Sequence, residues 1–174
     1  TNGPLSIDYA SSLDFGVQKI TSKDQTYFAA TQKYKTVGAT DEVKEGPNYV
    51  QVTDNRGTEA GWSLKVKQEG QFKSTSGKEL TGAAITFKNG NVVTASDSGK
   101  PTGPATITLN SDGSQSDVMS AAKGNGAGTY LFDWGTDATT AAKSIELTVP
   151  GSTTKYAEKY ATKLTWTLTD APGN

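Results

Sequence analysis

Apolar and polar residues alternate along many short segments of this chain, and turn-forming residues separate one segment from the next. Side chains two positions apart lie on the same face of a strand, so this alternation is typical of strands that bury one face. The 19 glycines and the 33% hydrophobic content fit many short strands better than helices. The predicted strands are Leu5–Tyr9, Phe15–Ile20, Tyr49–Asp54, Trp62–Lys67, Ala83–Thr94, Ala105–Leu109, Thr129–Trp134, Ser144–Val149 and Lys163–Asp170. We therefore expect an all-β fold: one antiparallel β-sandwich-like domain over residues 1–174, with long loops rich in Gly, Ser and Thr.

Two kinds of local signal refine this expectation. Asn89-Gly90 suits a type I′ turn, which predicts a hairpin within Ala83–Thr94 that places Phe87 opposite Val92. Helix is expected to be scarce. The two candidates are Asp137–Lys143, with Thr136 or Asp137 as its cap, and Ser114–Lys123.

The chain contains neither Cys nor His, which removes several classes of chemistry. It cannot form disulfides, a thiolate nucleophile, a Ser-His-Asp triad or a zinc site of the usual ligands. We predict no catalytic residue, no metal site and no cofactor. Without His, we also expect no step in stability between about pH 5.5 and 8.

Charge and hydropathy restrict the partners. With 17 basic and 18 acidic residues, the formal net charge is −1, which argues against a nucleic-acid partner because such proteins usually carry a basic face. The apolar runs are only a few residues long, far short of the roughly 20 that span a bilayer. We expect neither nucleic-acid binding nor a membrane span.

A Trp-x-Leu motif occurs twice, in Trp62-Ser63-Leu64 and in Trp166-Thr167-Leu168. In a strand, each motif places its Trp and Leu on one face and its hydroxyl residue on the other. An aromatic side chain brings a large apolar area to a core, so the first interpretation is that both strands bury their Trp and Leu close together. The alternative is that the indoles are exposed and serve as platforms for a ligand.

Taken together, these motifs resemble the WxL domain, a cell-surface module of low-GC Gram-positive bacteria. The resemblance rests on the start at Leu5–Val17 with its Phe15-Gly16, on the block Val-Thr-Asp-x-Arg-Gly-Thr-x-x-Gly-Trp-x-Leu-x-Val at 52–66, and on Leu-Thr-Trp-x-Leu at 164–168. It implies export to the cell wall, non-covalent binding to peptidoglycan and no catalysis. Glu59-Ala60 departs from the pattern, in which a Gly more often precedes Gly61.

Arg56 is the only arginine in the chain. A planar guanidinium holds a carboxylate through two parallel hydrogen bonds, which Lys cannot do, so its single use suggests a geometric task. Two roles remain open. Arg56 pairs with Asp54 or Asp170 to fix its loop, or it binds a carboxylate of a peptide stem or an acidic partner. The candidate ligand-binding set is Asp54, Arg56, Trp62, Leu64, Trp166, Leu168 and Asp170.

The family resemblance implies a non-catalytic module, located outside the cell on the wall, that binds peptidoglycan. The alternative is an interaction protein that binds another surface protein or a host matrix protein through an aromatic patch or an added strand. A wall glycan hydrolase would need two placed carboxylates, and the sequence identifies no such pair. The chain also shows no Leu-Pro-x-Thr-Gly sorting signal. We therefore expect retention to come from surface contacts.

Overall fold

The computed structural model describes residues 4–35 and 43–172. Strands dominate, as the alternation predicts, and α1 is the one helix among the described residues. The elements are β1 Leu5–Ala10, β2 Gln25–Phe28, β3 Gln32–Lys35, β4 Val43–Gly46, β5 Asn48–Asp54, β6 Trp62–Gln68, β7 Lys73–Ser74, β8 Ala84–Phe87, β9 Gly90–Val93, β10 Ile107–Thr108, β11 Gln115–Ala121, β12 Gly128–Trp134, α1 Ala138–Ala141, β13 Ile145–Val149, β14 Tyr160–Ala161 and β15 Leu164–Thr169. The expected all-β class is confirmed.

Three antiparallel sheets enclose the core. Sheet I has the order β1-β5-β12-β9, sheet II the order β10-β8-β13-β2, and sheet III the order β11-β6-β15. Two small two-stranded sheets, β14-β7 and β3-β4, lie beside them. The central strands β5, β6 and β13 bury alternate residues throughout, so one face of each lies against the core.

Aromatic side chains join the three sheets inside the core. Trp134 of sheet I contacts Phe87 of sheet II, with ring centroids 4.8 Å apart. It also contacts Trp166 of sheet III at 6.0 Å. Tyr130 of sheet I packs on Trp62 of sheet III at 6.3 Å. The inward faces of all three sheets therefore belong to one hydrophobic cluster.

The predicted hairpin at Asn89-Gly90 is wrong. β8 pairs with β10 and β13 in sheet II, whereas β9 pairs with β12 in sheet I. A type I′ turn needs positive φ at both central residues, and here Asn89 has φ 59° while Gly90 is not in that region. Gly90 is needed for a different reason, since a Cβ there would meet the Phe132 ring at 2.4 Å. The chain turns a corner between two sheets at this point.

Two further predictions are corrected. Phe15–Ile20 forms no strand, because Gly16 turns the chain with φ 75° and donates its N–H to the Asp14 carboxylate. Ser114–Lys123 is not helical but contains β11, which pairs with β6 from Gln115 to Ala121. A register shift between Asp117 and Met119 buries Val118 and Met119 in succession, which disrupts the alternation that marks a strand.

A helix follows Asp137 as predicted, but it spans Ala138–Ala141 and is shorter than the predicted Asp137–Lys143. Asp137 caps α1 by accepting a hydrogen bond from the Thr140 N–H at 2.8 Å, and the Thr140 hydroxyl accepts one from the Asp137 N–H at 3.1 Å. The helix is a single turn, and its Ala141 is buried.

Candidate functional site

The Arg56 loop follows β5 and is held by the buried carboxylate of Asp54. Arg56 Nε donates to Asp54 Oδ1 at 2.9 Å, and Nη2 donates to Oδ2 at 3.0 Å. Nη2 also donates to the Gly61 carbonyl at 2.8 Å, just before β6. The Asp54 side chain is 1% exposed and that of Arg56 is 18% exposed. This fork therefore ties the end of β5 to the start of β6.

The charges of this pair stabilise each other. Hydrogen bonds from Arg56 lower the pKa of Asp54 more than burial raises it. The bond to Asp54 raises the pKa of Arg56, with a smaller contribution from the charge of Asp170. Asp170 is exposed and borders a shallow groove beside Arg56, between the end of β15 and β1. Of the two partners considered for Arg56, Asp54 is the one that it binds through two hydrogen bonds.

The first Trp-x-Leu motif opens β6, and its Trp and Leu are entirely internal. Trp62 is 0% exposed and Leu64 is 1% exposed. The Trp62 indole Nε1 donates to the Gly126 carbonyl at 3.0 Å, which supplies the partner that a buried indole requires. A ligand cannot reach either side chain without displacing the core.

The second motif lies beside the first but nearer the surface. β15 is an edge strand that pairs with β6, so that Leu168 lies opposite Leu64 and Trp166 opposite Val66. Trp166 and Leu168 are half-buried and pack against the core. The predicted proximity of the two strands is thus present. Burial is complete for the first motif alone, because β15 has a neighbouring strand on one side only.

Trp166 also borders a cleft of about 1370 Å³. One wall is the irregular segment 11–20 that follows β1, and the other is the segment 155–163 that precedes β15. Side chains from sheet II, Ile85, Leu147 and Val149 among them, line the interior. The cleft is thus where the Trp166 edge of the core opens to the surface.

The second wall is fixed by hydrogen bonds of charged side chains. The Lys155 ammonium donates to the carbonyls of Thr21, Pro150 and Thr153 at 2.9 to 3.2 Å. The Glu158 carboxylate accepts from the Ser76 N–H, at 2.9 Å, and from the hydroxyls of Thr75 and Ser76. These bonds lower the pKa of Glu158. The wall is therefore shaped in advance of any ligand.

Of the residues that line this cleft, the sequence analysis selected Trp166 alone as a ligand-binding candidate. A signal of the cleft was nevertheless present in Lys155-Tyr156, Lys159-Tyr160 and Lys163-Leu164, where a basic residue precedes an aromatic or aliphatic one at every fourth position. No single strand or helix carries that spacing, since Tyr160–Ala161 is a two-residue strand and Leu164 is the first residue of β15. It places lysines and rings together along one wall.

Comparisons with known proteins give one clear result. Residues 1–172 match the protein family described as WxL domain surface cell wall-binding. No curated protein and no solved structure matches the chain significantly. The match spans both Trp-x-Leu motifs, the Arg56 loop and both walls of the cleft.

Proposed function

The chain belongs to the WxL family of surface cell wall-binding domains, and from this we propose that residues 1–174 act as one module that binds peptidoglycan. The attachment is non-covalent and the module is non-catalytic. It works outside the cell, where it keeps a protein on the wall. The family match over residues 1–172 is the observation that carries this proposal.

The geometry favours different roles for the residues first considered as ligand-binding. Burial of Asp54, Trp62 and Leu64 supports structural roles for them, and Arg56 is occupied by Asp54 and Gly61. We assign ligand contact instead to Trp166, because it is the indole that borders a cleft. Leu168 and Asp170 line the shallower groove beside Arg56 and are secondary candidates.

Co-sedimentation with purified walls tests the proposal. The protein is mixed with peptidoglycan sacculi, either stripped of teichoic acid or carrying it, and the pellet is quantified. We expect the protein to pellet with stripped sacculi and to leave their turbidity unchanged over hours. A protein that stays in the supernatant with both preparations contradicts wall binding and leaves the alternative, a surface-protein or host matrix partner. Falling turbidity contradicts the non-catalytic role.

In the part of the chain that the structure describes, no helix has the length and apolarity needed to cross a bilayer.

A further inference from the structure

We propose that the cleft between segments 11–20 and 155–163 binds the glycan strand of peptidoglycan, with sugar rings stacked on its aromatic side chains. This inference rests on the proposed wall binding and adds the location of the site and the element of the wall that it holds. It is carried by the aromatic lining, by the exposed apolar side chains at the cleft and by the charge of its rim.

The lining combines rings that are partly exposed, and the Tyr156 ring also carries the Lys78 ammonium over one face, 5.4 Å from its centroid. Phe15, Tyr27, Tyr160 and Trp166 are half-buried, and Tyr156 is 40% exposed. The C–H bonds on one face of a sugar ring carry partial positive charge, and the face of an aromatic ring is negative, so the two attract. A row of such rings suits a ligand with repeated apolar faces and polar edges.

Exposed apolar side chains concentrate at the same cleft. Val17 is 103% exposed and Ile20 is 56% exposed, and both line it with Tyr156. Of the large apolar residues that the described chain exposes, half lie here; the others are Tyr9, Phe28 and Val93. Apolar groups gathered beside a concave surface mark a binding site more often than scattered ones do.

The rim of the cleft is positively charged. The exposed Lys19, Lys159 and Lys163 line it, whereas the carboxylates in its lining, Asp14 and Glu158, already accept backbone hydrogen bonds. Peptidoglycan presents carboxylates on its peptide stems, which the exposed ammonium groups complement. The protein as a whole has a net charge of −1, which makes this local excess a feature of the cleft rather than of the surface.

The size of the cleft fits a chain of sugars. Its volume of about 1370 Å³ exceeds the roughly 300–1,000 Å³ that is usual for sites of small molecules. Each wall is held at one point before binding: Glu158 fixes one, and in the other the Phe15 ring packs edge-on against Phe72, with 6.5 Å between centroids. A prearranged site loses less conformational entropy when the ligand binds.

NMR of the indole N–H groups tests the location directly. The chain has three tryptophans; Trp62 is 0% exposed and serves as the internal reference, whereas Trp134 contacts Trp166 and does not. The Trp166 signal is assigned with the variant Trp166→Phe. We expect soluble glycan strands that keep their peptide stems to shift the Trp166 signal and to leave the Trp62 signal in place.

A matched pair of variants tests the energetics. Tyr156 and Tyr9 are the same residue type with the same 40% exposure, but Tyr9 lies on β1 outside the cleft. We expect Tyr156→Ala to weaken binding of the stem-bearing glycan about tenfold and Tyr9→Ala to leave it within twofold of the wild type. Melting curves check that both variants remain folded.

The outcomes separate this inference from the function on which it rests. Pelleting with sacculi together with an unmoved Trp166 signal, or with equal binding by Tyr156→Ala and wild type, overturns the cleft and leaves wall binding intact. A Trp166 shift caused by purified teichoic acid but not by the glycan strands overturns the glycan as the ligand. Failure to pellet with any sacculi overturns the proposed function itself.

Discussion

Arg56 shows how one side chain can be selected for geometry. Its fork reaches a carboxylate that is 1% exposed and a carbonyl five residues ahead, so it fixes the loop between β5 and β6. A lysine keeps the charge but offers no planar pair of donors. The sequence analysis recognised that Arg56 has a geometric task and included Asp54 among its partners. It could not choose between Asp54 and Asp170, because burial decides the matter and burial is not visible in the sequence.

We predict that Arg56→Lys lowers the free energy of unfolding by about 1–2 kcal/mol, since the buried Asp54 then loses part of its hydrogen bonding. Wall binding, measured well below the melting temperature, should stay within about threefold of the wild type. Urea denaturation and co-sedimentation provide the two measurements. A variant that is folded and stable but no longer pellets would show that Arg56 binds the ligand.

Asp133 changes the expected response to pH. It lies on the outward face of sheet I between Tyr49 and Asn91, its Oδ1 has no hydrogen bond, and burial raises its pKa to about 6. Between about pH 4 and 6, the native state therefore keeps a proton on Asp133 that the unfolded chain, with a pKa near 3.9, has released. Its contribution to stability is complete below about pH 4 and is lost as pH rises through about 6. The absence of His could not reveal this, because the shift comes from desolvation in the fold.

We predict that Asp133→Asn gains stability relative to the wild type as pH rises from about 4 to 6.5, by roughly 1–3 kcal/mol, and that the difference is constant from pH 7 to 8. Lowering the pH has the opposite effect on Asp54. Its pKa is lowered in the folded protein, so its contribution to stability is lost as pH falls below about 3.9. Denaturation curves at several pH values measure both effects. A difference that does not change with pH would place the Asp133 pKa at its ordinary value.

Neighbouring elements give the two Trp-x-Leu strands unequal burial. β6 lies between β11 and β15 and is covered on both edges, whereas β15 has one neighbour. Alternation predicted the strand and the inward face of each motif, since it depends only on spacing. It could not predict which strand is central, because the order of strands is set by contacts between distant parts of the chain.

We predict that Trp62→Ala costs about 3–5 kcal/mol of stability, through the cavity and the unpaired Gly126 carbonyl. Trp166→Ala should cost roughly half as much, because its indole is only half-buried. Thermal unfolding compares the two. Equal losses would mean that Trp166 is as deeply packed as Trp62, which would remove it from the proposed cleft.

The corner at Asn89-Gly90 is a second case in which contacts between elements override a local signal. Asn-Gly does supply the positive φ at Asn89, as the turn chemistry predicts. The strands on either side nevertheless pair in different sheets, β8 in sheet II and β9 in sheet I. Gly90 leaves room for the Phe132 ring. Glu59 also has a positive φ, 47°. It lies in Glu59-Ala60, where the family resemblance predicts a glycine before Gly61.

We predict that Gly90→Ala destabilises the protein by about 1–3 kcal/mol through overpacking against Phe132 rather than through φ strain. The two origins are separable in a double-mutant cycle with Phe132→Leu, a smaller side chain. Overpacking requires the alanine to cost less in the Phe132→Leu background. Additive effects would instead assign the cost to the backbone.

At the scale of the whole molecule, the all-β class and the WxL family could be predicted from the sequence. Alternation and the family motifs can both be read from consecutive residues. The cleft does not follow, because it forms where segments 11–20 and 155–163 approach each other across more than a hundred residues. Its walls have almost no regular structure, so the periodicities that reveal strands miss it. The spacing of Lys155-Tyr156 and Lys159-Tyr160 becomes informative only when the fold shows that these lysines and tyrosines border the same cleft.

The mixed character of the cleft leads to a last prediction, which concerns salt. Increasing NaCl from 0.1 to 1 M shortens the Debye length from about 10 to about 3 Å, which weakens contacts made by the exposed lysines at the rim. Stacking on aromatic rings hardly responds. We therefore expect pelleting with teichoic-acid-free sacculi to fall severalfold and then to level off, with the residual binding lost in Tyr156→Ala.

In the double variant Lys19→Gln/Lys159→Gln, the initial fall in pelleting should be smaller. Lys123 is exposed but lies outside the cleft, so Lys123→Gln should behave as the wild type does. Binding that disappears altogether at 1 M NaCl would show that charge alone holds the wall and that the rings are not its platform.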